Sequence, residues 1–98
     1  MNYLRIYTLK NKEAADKYFK IHWKRHLESL PKYGITVLKV FHDDNNHIYA
    51  VISYNGQDPQ TATKEYMNSS EFKNDMSGFD LNNISKVTES PIEFLTLK

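Results

Sequence analysis

Two histidines one helical turn apart are the residues best suited to metal chemistry. His22 and His26 stand at the spacing that lets two imidazoles on one helix share a metal ion. No carboxylate stands at a recognised offset to complete the site, so we predict no metal centre. Weak metal binding by the two histidines stays open. The simpler expectation for His22 is a place at the edge of the helix stripe, with its polar tip in water.

His26 is the candidate catalytic residue. It falls near the centre of an apolar stripe on a predicted helix, whose other members are Ala15, Phe19, Trp23, Leu27 and Leu30. A buried imidazole needs a hydrogen-bond partner or a cavity that holds a ligand. His26 is therefore either a satisfied core histidine or a general base between this helix and the sheet. We count Trp23, on the same stripe, among the ligand-binding residues.

Arg5 and Tyr7 share one face of the first predicted strand. A buried arginine needs a carboxylate or a polar cavity, and Glu89 and Glu93 are the candidate partners. We expect a pocket lined by Arg5, Tyr7, Tyr49 and Ser53. One cation, two phenols and a hydroxyl suit a small anionic or aromatic ligand. The alternative is a structural ion pair with tyrosines packed at a dimer interface.

Composition limits the classes of protein to consider. The 98 residues allow one domain over 1–98, and the absence of cysteine excludes disulfides and thiol chemistry. A net charge of +1 argues against nucleic acid as the main partner. We find no apolar run long enough to span a membrane and no secretory signal, so we expect a cytoplasmic protein with no membrane partner.

The elements that position these residues follow from periodicity and turn residues. We predict strands over 3–9, 35–42, 47–54 and 84–96, the second and third of which form a hairpin. Helices are predicted over 12–30, from Pro59, and over 70–77. Phe94 and Leu95 are among the anchors of the last strand, and Pro91 either puts that strand at a sheet edge or marks a bulge or bend. The order β-α-β-β-α-β predicts an α+β, ferredoxin-like fold with an antiparallel sheet.

A homodimer is also expected. The sheet face without helices is predicted to carry apolar side chains, either Tyr7, Leu38, Val40, Tyr49 and Val51 or the residues that alternate with them. Such a face is too apolar to lie bare in water. A two-fold partner presenting the same face would cover it.

Several segments resemble the NIPSNAP family. The opening Arg5-Ile6-Tyr7-Thr8-Leu9-Lys10 is similar to its R-x-Y-x-L-K motif. Ser70-Glu71-Phe72, Asp75-Met76 and Gly78-Phe79-Asp80 resemble a stretch of its small bacterial members, and the strand from Ile84 to Glu89 is also similar. The resemblance runs through nearly the whole chain in the same element order.

The resemblance implies a dimeric α/β barrel, in which two four-stranded sheets face each other. That superfamily includes cofactor-independent monooxygenases, isomerases and members without known activity, so the fold alone does not define the chemistry. Its haem-degrading members use an Asn, Trp and His arrangement that Trp23, on the first helix, does not match. We expect no organic cofactor.

If the chain is an enzyme, we predict monooxygenase or isomerase-type proton chemistry. His26 would be the base, and Arg5 with Tyr7 would orient the substrate. The rival prediction is a non-catalytic interaction module with a packed interior.

Overall fold

A four-stranded antiparallel sheet forms the centre of the fold in the computed structural model, which describes residues 2–56 and 58–93. The strands are β1 (Asn2–Leu9), β2 (Ile35–His42), β3 (His47–Tyr54) and β4 (Ile84–Ile92). Their order across the sheet is β2-β3-β1-β4. The α+β class and the antiparallel sheet are confirmed, and this strand order is compatible with a ferredoxin-like fold.

Helices cover one face of the sheet. They are α1 (Lys12–Lys17), a π-helical turn (Tyr18–His22), α2 (Trp23–Ser29), a 3-10 turn (Leu30–Tyr33), α3 (Pro59–Met67), α4 (Ser70–Asp75) and a second 3-10 turn (Leu81–Asn83). The side chains of Asn11, Asp58 and Ser69 accept hydrogen bonds from the first turns of α1, α3 and α4. Gly34, at φ 75°, provides the left-handed residue that ends the first helical segment.

The first helical segment differs from the uninterrupted helix predicted over 12–30. In a regular α-helix, side chains eight residues apart diverge by about 80°. The wide π-helical turn removes most of that divergence, so Tyr18 and His26 lie on one buried face. Leu27, predicted on the apolar stripe, is 44% exposed, and Phe19 is only partly buried. The buried stripe is therefore more polar and more aromatic than the 3.6-residue period indicates.

The hairpin has the predicted strand bounds, but its pairing is irregular. Thr36 pairs with Ser53, and the register then shifts between Val37 and Lys39. Beyond this bulge at Leu38, Phe41 pairs with Tyr49. Because an extra residue on one strand reverses the alternation that follows, Val40 moves to the helix-covered face.

The two faces of the sheet are assigned by the strand pairing. Arg5 pairs with Ala50 and Tyr7 with Ile48, so these four residues share the helix-covered face. Tyr49 and Ser53 alternate with them and lie on the opposite face. The expectation that Arg5, Tyr7, Tyr49 and Ser53 share one face is therefore wrong, as is the placement of Tyr7 on the face without helices.

The last strand lies at a sheet edge, as Pro91 indicates. Phe94 and Leu95, predicted as anchors of that strand, lie outside the described residues. Within residues 2–56 and 58–93, no helix has the length and apolar character needed to cross a membrane.

Candidate active site

A cavity of about 750 Å³ lies between the helix-covered face of β1 and β4 and the helices above it. Its wall includes the aromatic side chains Tyr7, Tyr18, Trp23, Tyr66 and Phe72. The polar groups at the wall include Arg5 and His26. A concave, mostly apolar space with a few convergent polar groups is the usual form of a small-molecule site.

Behind this wall, a buried carboxylate anchors a hydrogen-bonded series. The Asp75 side chain accepts a hydrogen bond from Ser29 Oγ at 3.1 Å and from the Tyr66 hydroxyl at 2.5 Å. Its backbone carbonyl accepts hydrogen bonds from His22 Nδ1 and Arg25. Asp75 is 5% exposed, so the hydroxyls of Ser29 and Tyr66 replace the water that its carboxylate otherwise requires.

His26 connects this carboxylate to the cavity. Because a carboxylate only accepts hydrogen bonds, the Tyr66 hydroxyl donates its one hydrogen bond to Asp75. Its oxygen therefore accepts the hydrogen bond from His26 Nδ1. Nδ1 must then carry the ring proton. In the neutral ring, Nε2 is the acceptor, and it lies 3.3 Å from the Tyr18 hydroxyl. Protons can therefore pass from Tyr18 through His26 toward Tyr66 and Asp75.

The buried environment keeps the groups of this series uncharged, apart from Asp75. Burial lowers the pKa of His26 to about 4, although the Asp75 carboxylate and its hydrogen bonding act in the opposite direction. His26 Nδ1 and Asp75 Oδ2 are 3.5 Å apart, but this contact is not an ion pair while the imidazole is neutral. Burial also raises the pKa of both phenols, Tyr18 and Tyr66. The resting series thus holds a neutral base beside a neutral phenol.

Arg5 forms the second polar group of the cavity wall. It pairs with Glu89, one of the two candidate partners that the sequence offers, and the two charged atoms are 2.7 Å apart. Nη2 also donates to the hydroxyls of Tyr54 and Thr63, while the contact of Nη1 is a longer one, 3.3 Å to the Tyr7 hydroxyl. Within the described part of the chain, Nη1 therefore has capacity for another acceptor.

The predicted site residues do not all meet. Arg5, Tyr7, Trp23 and His26 line the cavity together. Tyr49 and Ser53 lie on the other face of the sheet, where the Tyr49 hydroxyl donates to Asp43 and its ring stacks on Phe41. These two side chains do not reach this cavity.

The two neighbouring helix residues, His22 and Trp23, each leave a buried nitrogen without a partner. His22 is 1% exposed, so the expectation that its polar tip lies in water is wrong. Its Nε2 has no hydrogen-bond partner within the described residues. Trp23 Nε1 also has no hydrogen-bond partner among these residues, and its indole ring lines the cavity. Residues 2–56 and 58–93 contain no group of three or more His, Cys, Asp or Glu side chains suited to a metal ion.

Sequence reasoning missed Tyr18, Tyr66 and Asp75 as members of this site. The regular helical period does not place Tyr18 beside His26, because it is the π-helical turn that brings the two onto one face. Asp75 lies on α4, far from His26 in sequence, and no periodicity predicts that pairing. The available signal was a lone acid between the apolar residues Phe72, Met76 and Phe79, which indicates a buried carboxylate.

No family model and no curated protein sequence matches this chain.

Proposed function

We propose that the chain is a small enzyme that moves a proton on an anionic or aromatic molecule bound in the cavity, without an organic cofactor. The observation that supports this most is the series Asp75, Tyr66, His26 and Tyr18, which runs from a buried carboxylate to the cavity wall. A base oriented by a second group, which is itself anchored by a carboxylate, is a common design for proton transfer.

The neutral His26 would act as the base through Tyr18. As the Tyr18 oxygen takes a proton from a substrate C–H, its own phenolic proton passes to His26 Nε2. The imidazolium formed in this way is stabilised by Tyr66 and by the Asp75 carboxylate 3.5 Å away. Asp75 and Tyr66 are thus positioning residues, since neither needs to touch the substrate.

The charges at the wall support an anionic substrate. Among the residues that the structure describes, Arg5 and Lys64 line the cavity along with one acidic side chain, Glu89. Arg5 Nη1 can donate a hydrogen bond to a substrate oxygen close to Tyr7, where the aromatic wall begins. Deprotonation of such a substrate is the first step of an isomerisation. It is equally the first step of a cofactor-independent monooxygenation, which needs O2 as a co-substrate.

The functional form would be a homodimer in the cytoplasm, assembled as a dimeric α/β barrel of the NIPSNAP type. Apolar side chains occupy the sheet face that the chain's own helices leave uncovered, among them Leu4, Ile6, Tyr49 and Val51. Phe41 and Leu38 are 40% and 49% exposed on β2. A second copy would remove this surface from water.

A non-catalytic module is the second candidate, and one observation favours it. Both His26 and Arg5 already have protein partners for most of their hydrogen-bonding groups. In that case the series would serve to satisfy buried polar atoms.

Deuterium exchange separates the two candidates. Phenylpyruvate is a suitable probe because it is an aromatic anion with acidic C–H bonds beside a ketone. We expect the protein to accelerate exchange of these hydrogens in D2O by at least about 100-fold over buffer, the usual contribution of a positioned general base. The His26→Gln variant should lose that acceleration, as measured by proton NMR.

The matched control is His42→Gln, which changes an exposed histidine outside the cavity and should keep the acceleration. Binding of phenylpyruvate without any exchange would favour the non-catalytic module. Equal exchange by wild type and His26→Gln would contradict the role of His26.

A further inference from the structure

The mouth of the cavity carries exposed apolar side chains. Met67, Leu81 and Val87 line the cavity and are 53%, 51% and 49% exposed. They come from three separate elements, α3, the 3-10 turn before β4, and β4 itself. Single exposed apolar residues are common, but a group around one opening marks an apolar binding surface.

The cavity wall changes from polar to apolar along the paired strands β1 and β4. Arg5 pairs with Glu89, Tyr7 with Val87, and Leu9 with Ile84. Moving along β4 from Glu89 to Ile84 thus leads from a charged pair to an aliphatic pair. The five residue steps from Glu89 to Ile84 cover about 16 Å, a length that suits an extended chain better than one compact ring.

Charged and hydroxyl groups collect at the Glu89 end. Lys64 and Thr63 of α3 line the cavity with Arg5, and Thr63 accepts a hydrogen bond from the guanidinium at 3.1 Å. In the described part of the chain, the two cations at this end outnumber the one carboxylate, Glu89, so this end favours an anion. The other end has Met76, Leu81 and Ile84 at the wall, none of which can pair with a charge.

We propose that the ligand is an amphipathic carboxylic acid, bound with its carboxylate at Arg5 and its apolar chain directed toward Leu81. This inference rests on the proposed function, because it names the substrate class of the same cavity. The first carbons after the carboxylate would then lie beside Tyr7, whose ring contacts the Tyr18 ring. The hydrogen-bonded series of Asp75, Tyr66, His26 and Tyr18 ends at that position.

Three probes test the proposal in calorimetric titrations of the full chain: octanoate, 1-octanol and benzoate. We expect octanoate to bind about tenfold more tightly than 1-octanol, because only octanoate forms a charge-assisted hydrogen bond with Arg5. Leu81→Gln should weaken octanoate binding about fivefold, since it removes apolar contact at the mouth. Leu27→Gln, at an equally exposed leucine outside the cavity, should leave octanoate binding unchanged.

Each other outcome would contradict one specific part of the proposal. Equal binding of octanoate and 1-octanol would remove the carboxylate from the inference, and an unaffected Leu81→Gln variant would remove the direction of the chain. Binding of benzoate but neither octyl compound would reject the substrate class while leaving the proposed function intact. Failure of all three probes to bind would contradict both.

Discussion

Replacing Asp75 by alanine is expected to lower the free energy of unfolding by about 3 kcal/mol. The substitution leaves the hydroxyls of Ser29 and Tyr66 without their acceptor inside the protein. Each buried polar group left without a hydrogen-bond partner typically costs about 1–3 kcal/mol, because it stays desolvated, so two such hydroxyls account for the expected change. Urea unfolding followed by circular dichroism measures the change.

Asp44→Ala is the matched control, because Asp44 is exposed in the hairpin turn and should change stability by less than about 0.5 kcal/mol. Tyr66→Phe should have an intermediate effect of about 1–2 kcal/mol, since it removes a single hydroxyl from the series. If Asp75→Ala were as stable as Asp44→Ala, the buried carboxylate would not be the anchor of the site.

The second large effect is expected at the sheet face without helices. Ile6 lies on the central strand β1, pairs with Tyr49 on one side and Thr88 on the other, and points away from the helices. In the proposed dimer, Ile6→Glu would bury a carboxylate without a partner. We expect this variant to be monomeric at concentrations where the wild type is dimeric, with dimer affinity reduced more than about 100-fold.

Analytical ultracentrifugation distinguishes these states. Ile21→Glu is the control, because Ile21 is 45% exposed in the π-helical turn and its substitution should leave the dimer intact. A wild-type protein that sediments as a monomer would contradict the dimeric barrel. Such a result would leave the cavity and its hydrogen-bonded series unchanged, since both are built within one chain.

Local sequence patterns were sufficient to predict most of the elements. The alternation of β1, the turn residues after His42, and the Asp58-Pro59 start of α3 each specify their structure over a few residues. The pairing of Arg5 with Glu89 was also accessible, because a buried arginine on a strand requires a nearby carboxylate.

The site was harder to predict because two local irregularities determine it. The bulge at Leu38 changes which side chains of β2 face the helices, and the π-helical turn changes which residues accompany His26. Neither has a strong sequence signal, since each arises where packing outweighs ideal geometry. Which face of β3 lies on the same side as Arg5 depends on the pairing of β3 with β1, and that pairing puts Tyr49 and Ser53 on the opposite face.

The most direct test of the account is the protonation state of His26, measured by long-range proton–nitrogen NMR of the histidine rings. We predict a neutral ring protonated on Nδ1, which stays neutral from pH 7 down to about pH 4 because burial lowers its pKa. Addition of octanoate or phenylpyruvate should shift the Nε2 signal, since that atom faces Tyr18 at the cavity wall. A ring that titrates near pH 6.5, carries its proton on Nε2, or ignores both ligands would contradict the proposed proton-transfer site.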